Sequence, residues 1–179
     1  MLHFSSNKIK NICLIGLMGS GKSVIGRDLS KIFNLNFIDT DIEIEKKVGK
    51  SIENIFKGHG EEYFRKIEES ICIKVLNNEN CVISLGGGSI TNSKIRKEIK
   101  KNSYSVYLKV DIDTLVKRLK NSKKRPLLEN VDKRKKLNEL YEKRKSFYNM
   151  ANLVLENNYD KKEIIREIKS NLEIYDKKF

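Results

Sequence analysis

The chain has 179 residues, 39% of them hydrophobic and 34% charged, with a formal net charge of +13. That length predicts a single domain with a sizeable core, and no apolar run approaches the length of a membrane span. Met1 to Asn11 lacks a signal-peptide core and cleavage site, and Cys13, Cys72 and Cys81 are well separated with no CxxC pair, which predicts reduced core thiols in a cytoplasmic protein rather than disulfides or a metal cage.

Residues 11–16 read as a buried first strand. They run into Gly16-Leu17-Met18-Gly19-Ser20-Gly21-Lys22-Ser23, and Val24, Ile25, Leu29, Ile32 and Phe33 follow at helical spacing. The eight residues satisfy the phosphate-loop pattern G-x-x-x-x-G-K-[ST]. A strand that delivers the chain to a helix N-terminus aims free backbone N–H groups and the positive end of the helix dipole at one anion. Glycines let the loop curl without Cβ clashes. In such a loop Lys22 can bridge the β- and γ-phosphates of a nucleotide, and Ser23 can hold Mg²⁺. A plain glycine turn between strand and helix is the simpler alternative, and the matching flanks argue against it.

Asn34 and Asn36 mark the return into a short strand, Phe37-Ile38, which ends at Asp39-Thr40-Asp41. One aspartate can serve Mg²⁺; the other can accept a hydrogen bond from a hydroxyl and take its proton. An N-cap for the next helix would need only one of them. That helix carries Ile42, Ile44 and Val48, and Gly49-Lys50-Ser51 ends it. Ser51 is placed to cap a short helix with Ile52, Ile55 and Phe56. Gly58-His59-Gly60 predicts the next break, with His59 exposed. Phe64, Ile67, Ile71 and Val75 then define a long amphipathic helix to about Leu76. A polar turn at 77–80 leads to a buried strand, residues 81–85, and to Gly86-Gly87-Gly88. A simple turn needs one glycine, so three predict a backbone that lies against a ligand.

Residues 92–101 read as helix with Ile95 and Ile99 inward, 104–110 as strand, and 111–120 as helix. Residues 120–132 have no clear periodicity and hold the only proline, Pro126; they predict a mobile loop. Helix returns over 133–150, a last strand over 153–155 and a last helix over 161–175. Thirteen basic residues fall between Lys117 and Lys145 against four acidic ones. This concentration suits a polyphosphate ligand, a nucleic acid or simply a solvated surface. Five strands alternating with helices predict an α/β fold in three layers: a central five-stranded parallel sheet with helices on both faces. Ligands in such folds bind beyond the carboxyl ends of the strands, where the phosphate loop, Asp39–Asp41 and Gly86–Gly88 all fall.

Three arginines stand out. Arg65 has Glu61 four residues before it and Glu69 four after, which a surface ion pair explains. Arg144 lies on the apolar face set by Leu137, Leu140, Tyr141, Phe147 and Tyr148. There it needs an anion, whether a ligand or a structural carboxylate, unless it snorkels to water. Arg125, before Pro126-Leu127-Leu128 in the predicted loop, could reach a transferring phosphoryl group if the loop closes.

As a set, and in this order, these residues resemble the shikimate kinases, in the nucleoside-monophosphate-kinase-like branch of the phosphate-loop (P-loop) NTPases. The resemblance rests on Gly16–Ser23, Phe37–Asp41, Ile55-Phe56, Gly60–Glu68 with its Phe64-Arg65, Leu85–Gly88, Arg125–Leu128, and Arg144 with Tyr148 and Ala151. It spans about residues 10–155. It implies one kinase domain over 1–179, with the phosphate loop at 16–23, a substrate-binding region at about 39–68 and a mobile lid at about 120–132. It implies ATP-dependent phosphorylation of the 3-hydroxyl of shikimate in aromatic amino-acid biosynthesis. Asp41, Arg65, Arg144 and the backbone of Gly86, Gly87 and Gly88 would hold shikimate, which overrides the surface-pair reading of Arg65, and Glu68 would orient Arg65. Gly19, Ser20, Gly21, Lys22 and Ser23 would hold the ATP phosphates, with Arg118 stacked on adenine. Asp39 would join Ser23 at Mg²⁺. Lys22, Asp41 and Arg125 would be the catalytic set.

The departures are Ser146, where the family often has proline, and a lysine-rich lid. The expectation is a cytoplasmic monomer that uses shikimate and ATP and binds neither nucleic acid nor membrane. A related small-molecule kinase, acting on gluconate or a nucleotide, is the nearest alternative. A basic nucleic-acid-binding protein is the alternative from another class, without a helix-turn-helix or zinc-finger signature in its favour.

Overall fold

The computed structural model describes residues 10–120, 126–128, 131–157 and 160–176. Arg125 and most of the predicted lid lie outside the described residues. Five strands and seven helices alternate: β1 (Asn11–Ile15), α1 (Lys22–Phe33), β2 (Asn36–Asp39), α2 (Thr40–Val48), α3 (Ile52–Leu76), β3 (Cys81–Ser84), α4 (Ser93–Asn102), β4 (Ser103–Lys109), α5 (Ile112–Leu119), α6 (Lys133–Tyr148), β5 (Leu153–Glu156) and α7 (Lys161–Asp176). Short 3₁₀ turns occupy Ser89–Thr91 and Pro126–Leu128. The sheet runs β2-β3-β1-β4-β5, and every neighbouring pair is parallel. This is the predicted three-layer architecture.

The period-2 geometry of β1 divides the core. Ile12 and Leu14 face α1 and α7, where they pack with Leu29, Phe33, Ile164 and Ile168. Cys13 and Ile15 face the opposite layer, with Cys72, Leu76, Ile95, Leu137 and Tyr148. Each such fully buried aliphatic contributes ~1.5–3 kcal/mol. The three cysteines are buried and free, as expected. β1 also lies where the strand order reverses: the chain passes to β2 and β3 on one side and to β4 and β5 on the other. The crevice of this topology therefore opens directly above the phosphate loop.

Local signals act largely as predicted. Asn34 ends α1 in the left-handed region at φ 55°, and Ser51 caps α3 through the Asn54 amide; Asp111, read as the first residue of a helix, instead caps α5 through the Thr114 amide. Two further expectations shift. Val24, Ile32 and Ile42 have helical spacing yet are 56%, 51% and 37% exposed, because the buried stripes of α1 and α2 are narrower than the apolar pattern. The break at Gly58–Gly60 is a kink within one long α3 rather than a loop: only Gly60 leaves helical geometry, at φ 78° and ψ 175°, a conformation that favours glycine. Its far half ends at Leu76, whose carbonyl accepts from Asn11 Nδ2 at the start of β1. A separate small cluster, Ile44, Ile55 and Phe64, fastens α2 to α3 and so sets the position of Asp41 relative to Arg65.

Candidate active site

The phosphate loop leaves β1 and enters α1 through three glycines with positive φ: Gly16 (145°), Gly19 (81°) and Gly21 (92°). A Cβ on Gly16 would lie 2.7 Å from the Leu108 carbonyl oxygen, and one on Gly21 would lie 2.9 Å from Asn157 Nδ2. The spacing thus reflects both backbone conformation and close approach. Gly21 caps α1 with no side-chain partner, which leaves the helix N-terminus to a ligand. Lys22 is 8% exposed and folds back over the loop. Its Nζ donates to the carbonyls of Gly16 (2.9 Å) and Leu17 (3.0 Å). A phosphate would offer that ammonium a charged acceptor within the same loop.

Beside the loop, Ser23 Oγ donates to Asp39 Oδ2 at 2.5 Å, and Asp39 Oδ1 accepts the Asp41 amide at 3.1 Å. Asp39 is therefore both the N-cap of α2 and the partner of Ser23. Asp41 lines both the hollow beside Ser23 and Asp39 and a second, neighbouring cavity.

A cleft of about 400 Å³ extends from the loop, walled by Gly19, Gly21, Lys22, Arg118, Asn157 and Lys161. Arg118 NH1 donates to the Gly19 carbonyl (3.3 Å) and NH2 to that of Asn157 (3.1 Å). Asn157 is 5% exposed, and its Nδ2 donates to the Ser20 carbonyl at 2.6 Å. Asn157 thus clamps the loop to the end of β5. No motif marked it. The available signal was only its place just after the last strand, at the carboxyl edge of the sheet.

The second cavity is narrow, about 60 Å³, and lies between α3, the glycine run and α6. Asp41, Arg65, Gly87 and Arg144 line it together, and Pro126 and Leu127 form part of its wall. The glycine run lines this cavity and also packs against the site's own side chains. None of the three has a positive φ. Instead, a Cβ on Gly86 would meet Asp41 Oδ1 at 2.8 Å and Glu68 Oε1 at 2.9 Å, and one on Gly88 would meet Arg65 NH1 at 2.5 Å. Gly86 and Gly88 make room for the site's own charged side chains, while a Cβ on Gly87 would meet the phosphate-loop backbone at Met18 N (3.2 Å) and Gly16 O (3.3 Å).

The two arginines of this cavity are held in different ways. Arg65 donates from NH1 to Glu68 (2.6 Å) and from Nε and NH2 to Glu61 (3.1 and 2.8 Å). Burial opposes its charge, yet the neighbouring carboxylates, Glu68 foremost, carry its pKa above the ordinary arginine value. Glu69, the other expected partner, turns away to Asn92 and Lys94. Glu68 is 3% exposed and also accepts from Ser89 Oγ at 2.7 Å, so a buried carboxylate is satisfied from both sides.

Arg144 is 5% exposed, which removes the snorkelling option. Among the described residues no carboxylate pairs with it; NH1 donates to the Gly87 carbonyl at 3.1 Å. Tyr148 OH donates to the same carbonyl at 2.6 Å, and its ring stacks on Tyr107. Burial pushes the Tyr148 phenol up to about 12, so it remains a donor at any ordinary pH. Beneath Ser89, burial and the Glu68 carboxylate raise the Cys72 thiol to about 12; it packs as a neutral group rather than a nucleophile. Arg144 keeps a cation, with no paired carboxylate among the described residues, on the wall of a cavity that also holds Asp41. Such a site can take a small hydroxylated carboxylate within reach of the phosphate loop.

The comparisons with known proteins agree with this geometry. A family model described as shikimate kinase matches residues 18–173. The shikimate kinase of Xylella fastidiosa (strain M23) is 42% identical over 142 residues, 79% of this chain and 79% of that protein. The shikimate kinase of Clostridium botulinum (strain 657 / Type Ba4) is 43% identical over 164 residues, 90% of this chain and 96% of its own. Among solved structures, shikimate kinase from Acinetobacter baumannii in complex with shikimate superposes with a TM-score of 0.86 at 33% identity, covering 91% of this chain and 94% of that one. A gluconokinase from Sinorhizobium meliloti 1021 reaches 0.61 at 15% identity, a likeness of fold alone. The chain belongs to the shikimate kinase family.

Proposed function

We propose that this enzyme transfers the γ-phosphoryl group of ATP to the 3-hydroxyl of shikimate, giving shikimate 3-phosphate and ADP, a step of aromatic amino-acid biosynthesis. The observation that carries the acceptor assignment is Arg144: a buried guanidinium with no carboxylate partner among the described residues, on the wall shared by Arg65 and Asp41. A carboxylated, hydroxylated ring supplies what that wall lacks.

In this reading Arg144 and Arg65 grip the acceptor carboxylate, and Asp41 orients the ring hydroxyl toward the phosphate loop and stands ready to take its proton. Glu68, fixed by Ser89, holds the Arg65 fork in place. The Gly86–Gly88 backbone forms the floor. Gly19, Ser20, Gly21 and Lys22 cradle the phosphates, and Lys22 exchanges its loop carbonyls for phosphate oxygens as negative charge develops. Arg118 lines the outer cleft, where the adenine would lie. Arg125 is assigned to the transferring phosphoryl on the family motif alone, since it lies outside the described residues. The acceptor cavity is far below the several hundred Å³ usual for ligand sites, so acceptor entry requires Pro126 and Leu127 to give way.

The donor set fits magnesium. Ser23 and Asp39 present two oxygens together, and among the described residues no cluster of three or more His, Cys, Asp or Glu forms a protein cage. Mg²⁺ characteristically takes one or two carboxylate ligands and completes its shell with water and substrate phosphates. When bound it would neutralise charge on the β- and γ-phosphates.

The chain reads as one kinase domain and as a cytoplasmic monomer. Helices cover both faces of the sheet, the buried thiols suit a reducing compartment, and no described helix is long and apolar enough to cross a membrane. The basic segment reads as structural rather than nucleic-acid-binding. Lys133 donates to the Leu119 and Lys120 carbonyls, Arg134 pairs with Asp113, Lys136 with Glu139 and Lys145 with Glu142.

A coupled ADP-release assay with shikimate, gluconate and a nucleoside panel tests the assignment. Shikimate-dependent ADP release that requires Mg²⁺ is expected. Turnover on gluconate or a nucleoside, with none on shikimate, would move the enzyme to a neighbouring kinase class.

A further inference from the structure

Outside the kinase site, a hollow of about 230 Å³ lies between α4 and the end of α6, over the β1–β4 floor. Its apolar lining is Ile15, Ile90, Ile99, Phe147, Met150 and Ala151, of which the first three are 3%, 4% and 5% exposed. Its polar lining is dominated by donors. The Arg96 guanidinium stacks over the Phe147 ring at 4.1 Å, and its NH1 donates to the Ile90 (2.9 Å) and Thr91 (2.8 Å) carbonyls. With NH1 so engaged, the Nε–NH2 edge has no acceptor among the described residues, and that edge is the fork that grips carboxylates side-on. Lys100, one turn along α4, also lines the hollow and forms no ion pair among the described residues. Asn152 uses its Oδ1 on Ser105 and keeps its amide N–H groups for a ligand. No aspartate or glutamate lines the hollow.

The geometry points to a second ligand site here, for a small planar monocarboxylate whose ring packs against Phe147 and Ile99 and whose carboxylate meets Arg96 and Lys100. The volume is below the usual range for drug-sized ligands and suits a single ring. A neutral ligand would leave both cations without a counter-charge.

The site is connected to the acceptor cavity by hydrogen bonds. Arg96 NH1 fixes the 3₁₀ turn Ser89–Thr91; Ser89 Oγ donates to Glu68, and Glu68 holds Arg65. Phe147 lies between Arg144 and Tyr148 on α6. A carboxylate drawing on Arg96 therefore acts on the turn that positions Arg65, and its binding changes the affinity for the acceptor.

The test uses the whole enzyme with benzoate as probe, benzamide as its neutral counterpart and shikimate at saturation to occupy the acceptor arginines. Benzoate should bind saturably, perturb the amide resonances of Thr91, Phe147 and Ala151, and bind at least tenfold more tightly than benzamide. Lys100→Gln, a surface change, should weaken benzoate several-fold while leaving turnover without benzoate unchanged. Arg96→Lys, which keeps the charge but removes the fork, should weaken it about tenfold. Saturating benzoate should alter the KM for shikimate at least twofold. Benzoate binding abolished by shikimate, equal binding of benzamide, or unchanged affinity in both variants would each overturn the site. An unchanged KM would overturn its connection to the acceptor cavity.

Discussion

The two halves of the kinase site are built by different means. On the donor side, eight consecutive residues do most of the work, largely through backbone: three left-handed glycines, an open helix N-terminus and one lysine folded onto its own loop. On the acceptor side, Asp41, Arg65, the glycine run and Arg144 come from α2, α3, the segment after β3, and α6, and act through charged side chains. A phosphate is bound the same way in many enzymes, so one short motif suffices. A particular ring acid must be met from several directions, and only a tertiary fold brings several directions together.

That contrast predicts a graded set of effects. Lys22→Ala should have the largest, lowering kcat by ~10²–10³-fold, the usual result of deleting one pre-placed donor to developing charge, with the circular dichroism spectrum retained. Near-normal turnover would dissolve the distinction, because the donor half would then not act as a unit. Next is Arg144→Ala. Charge-assisted hydrogen bonds contribute ~1.5–3 kcal/mol, so kcat/KM for shikimate should fall by about 10–100-fold while KM for ATP holds. A matching loss in ATP affinity would show that the halves are not separable.

Asn157→Ala sharpens the donor side. It removes the clamp on the Ser20 carbonyl, a neutral hydrogen bond contributing ~1 kcal/mol, so KM for ATP should rise about fivefold with KM for shikimate unmoved; the reverse pattern in steady-state kinetics would assign Asn157 to the acceptor side. The smallest effect belongs to Glu61→Gln. Glu61 is exposed, and such pairs contribute ~0.2–1 kcal/mol. Shikimate KM should change by no more than about threefold, since Glu68 still holds Arg65. A tenfold change would mean that Arg65 depends on its surface partner rather than on the buried one.

Most elements were legible in the residues because their signals are local. The β1–phosphate loop–α1 unit, the Ser51 cap and the alternation that makes a parallel sheet all follow from neighbours in sequence. Arg65 shows where that legibility stops. Its spacing to Glu61 and Glu69 is that of a surface pair, and half of that pair forms, to Glu61. The other partner is Glu68 at i+3, which the Ser89 hydroxyl from the far side of the cavity holds in place. The glycine run was read as lying against a ligand; it lines the acceptor cavity, and Cβ atoms on Gly86 and Gly88 would also meet Asp41, Glu68 and Arg65, side chains up to 45 residues away in sequence. Asn157 carried no motif at all, because a single amide donating to a loop carbonyl has no spacing rule.

By itself the sequence determined the phosphate loop, the order of strands and helices and, through the family motif set, the class of reaction. These depend on backbone geometry and periodicity, which neighbouring residues dictate. Tertiary structure decided which charges remain for a ligand. Asp39 is engaged by Ser23, Arg65 by Glu61 and Glu68, and much of the basic segment by helix ends and surface carboxylates. Arg144 alone of the acceptor-site arginines keeps its charge without a carboxylate among the described residues. Whether a buried cation is neutralised by the protein or left for a substrate depends on what packs within a few ångströms of it, and those neighbours come from strands and helices remote in the chain.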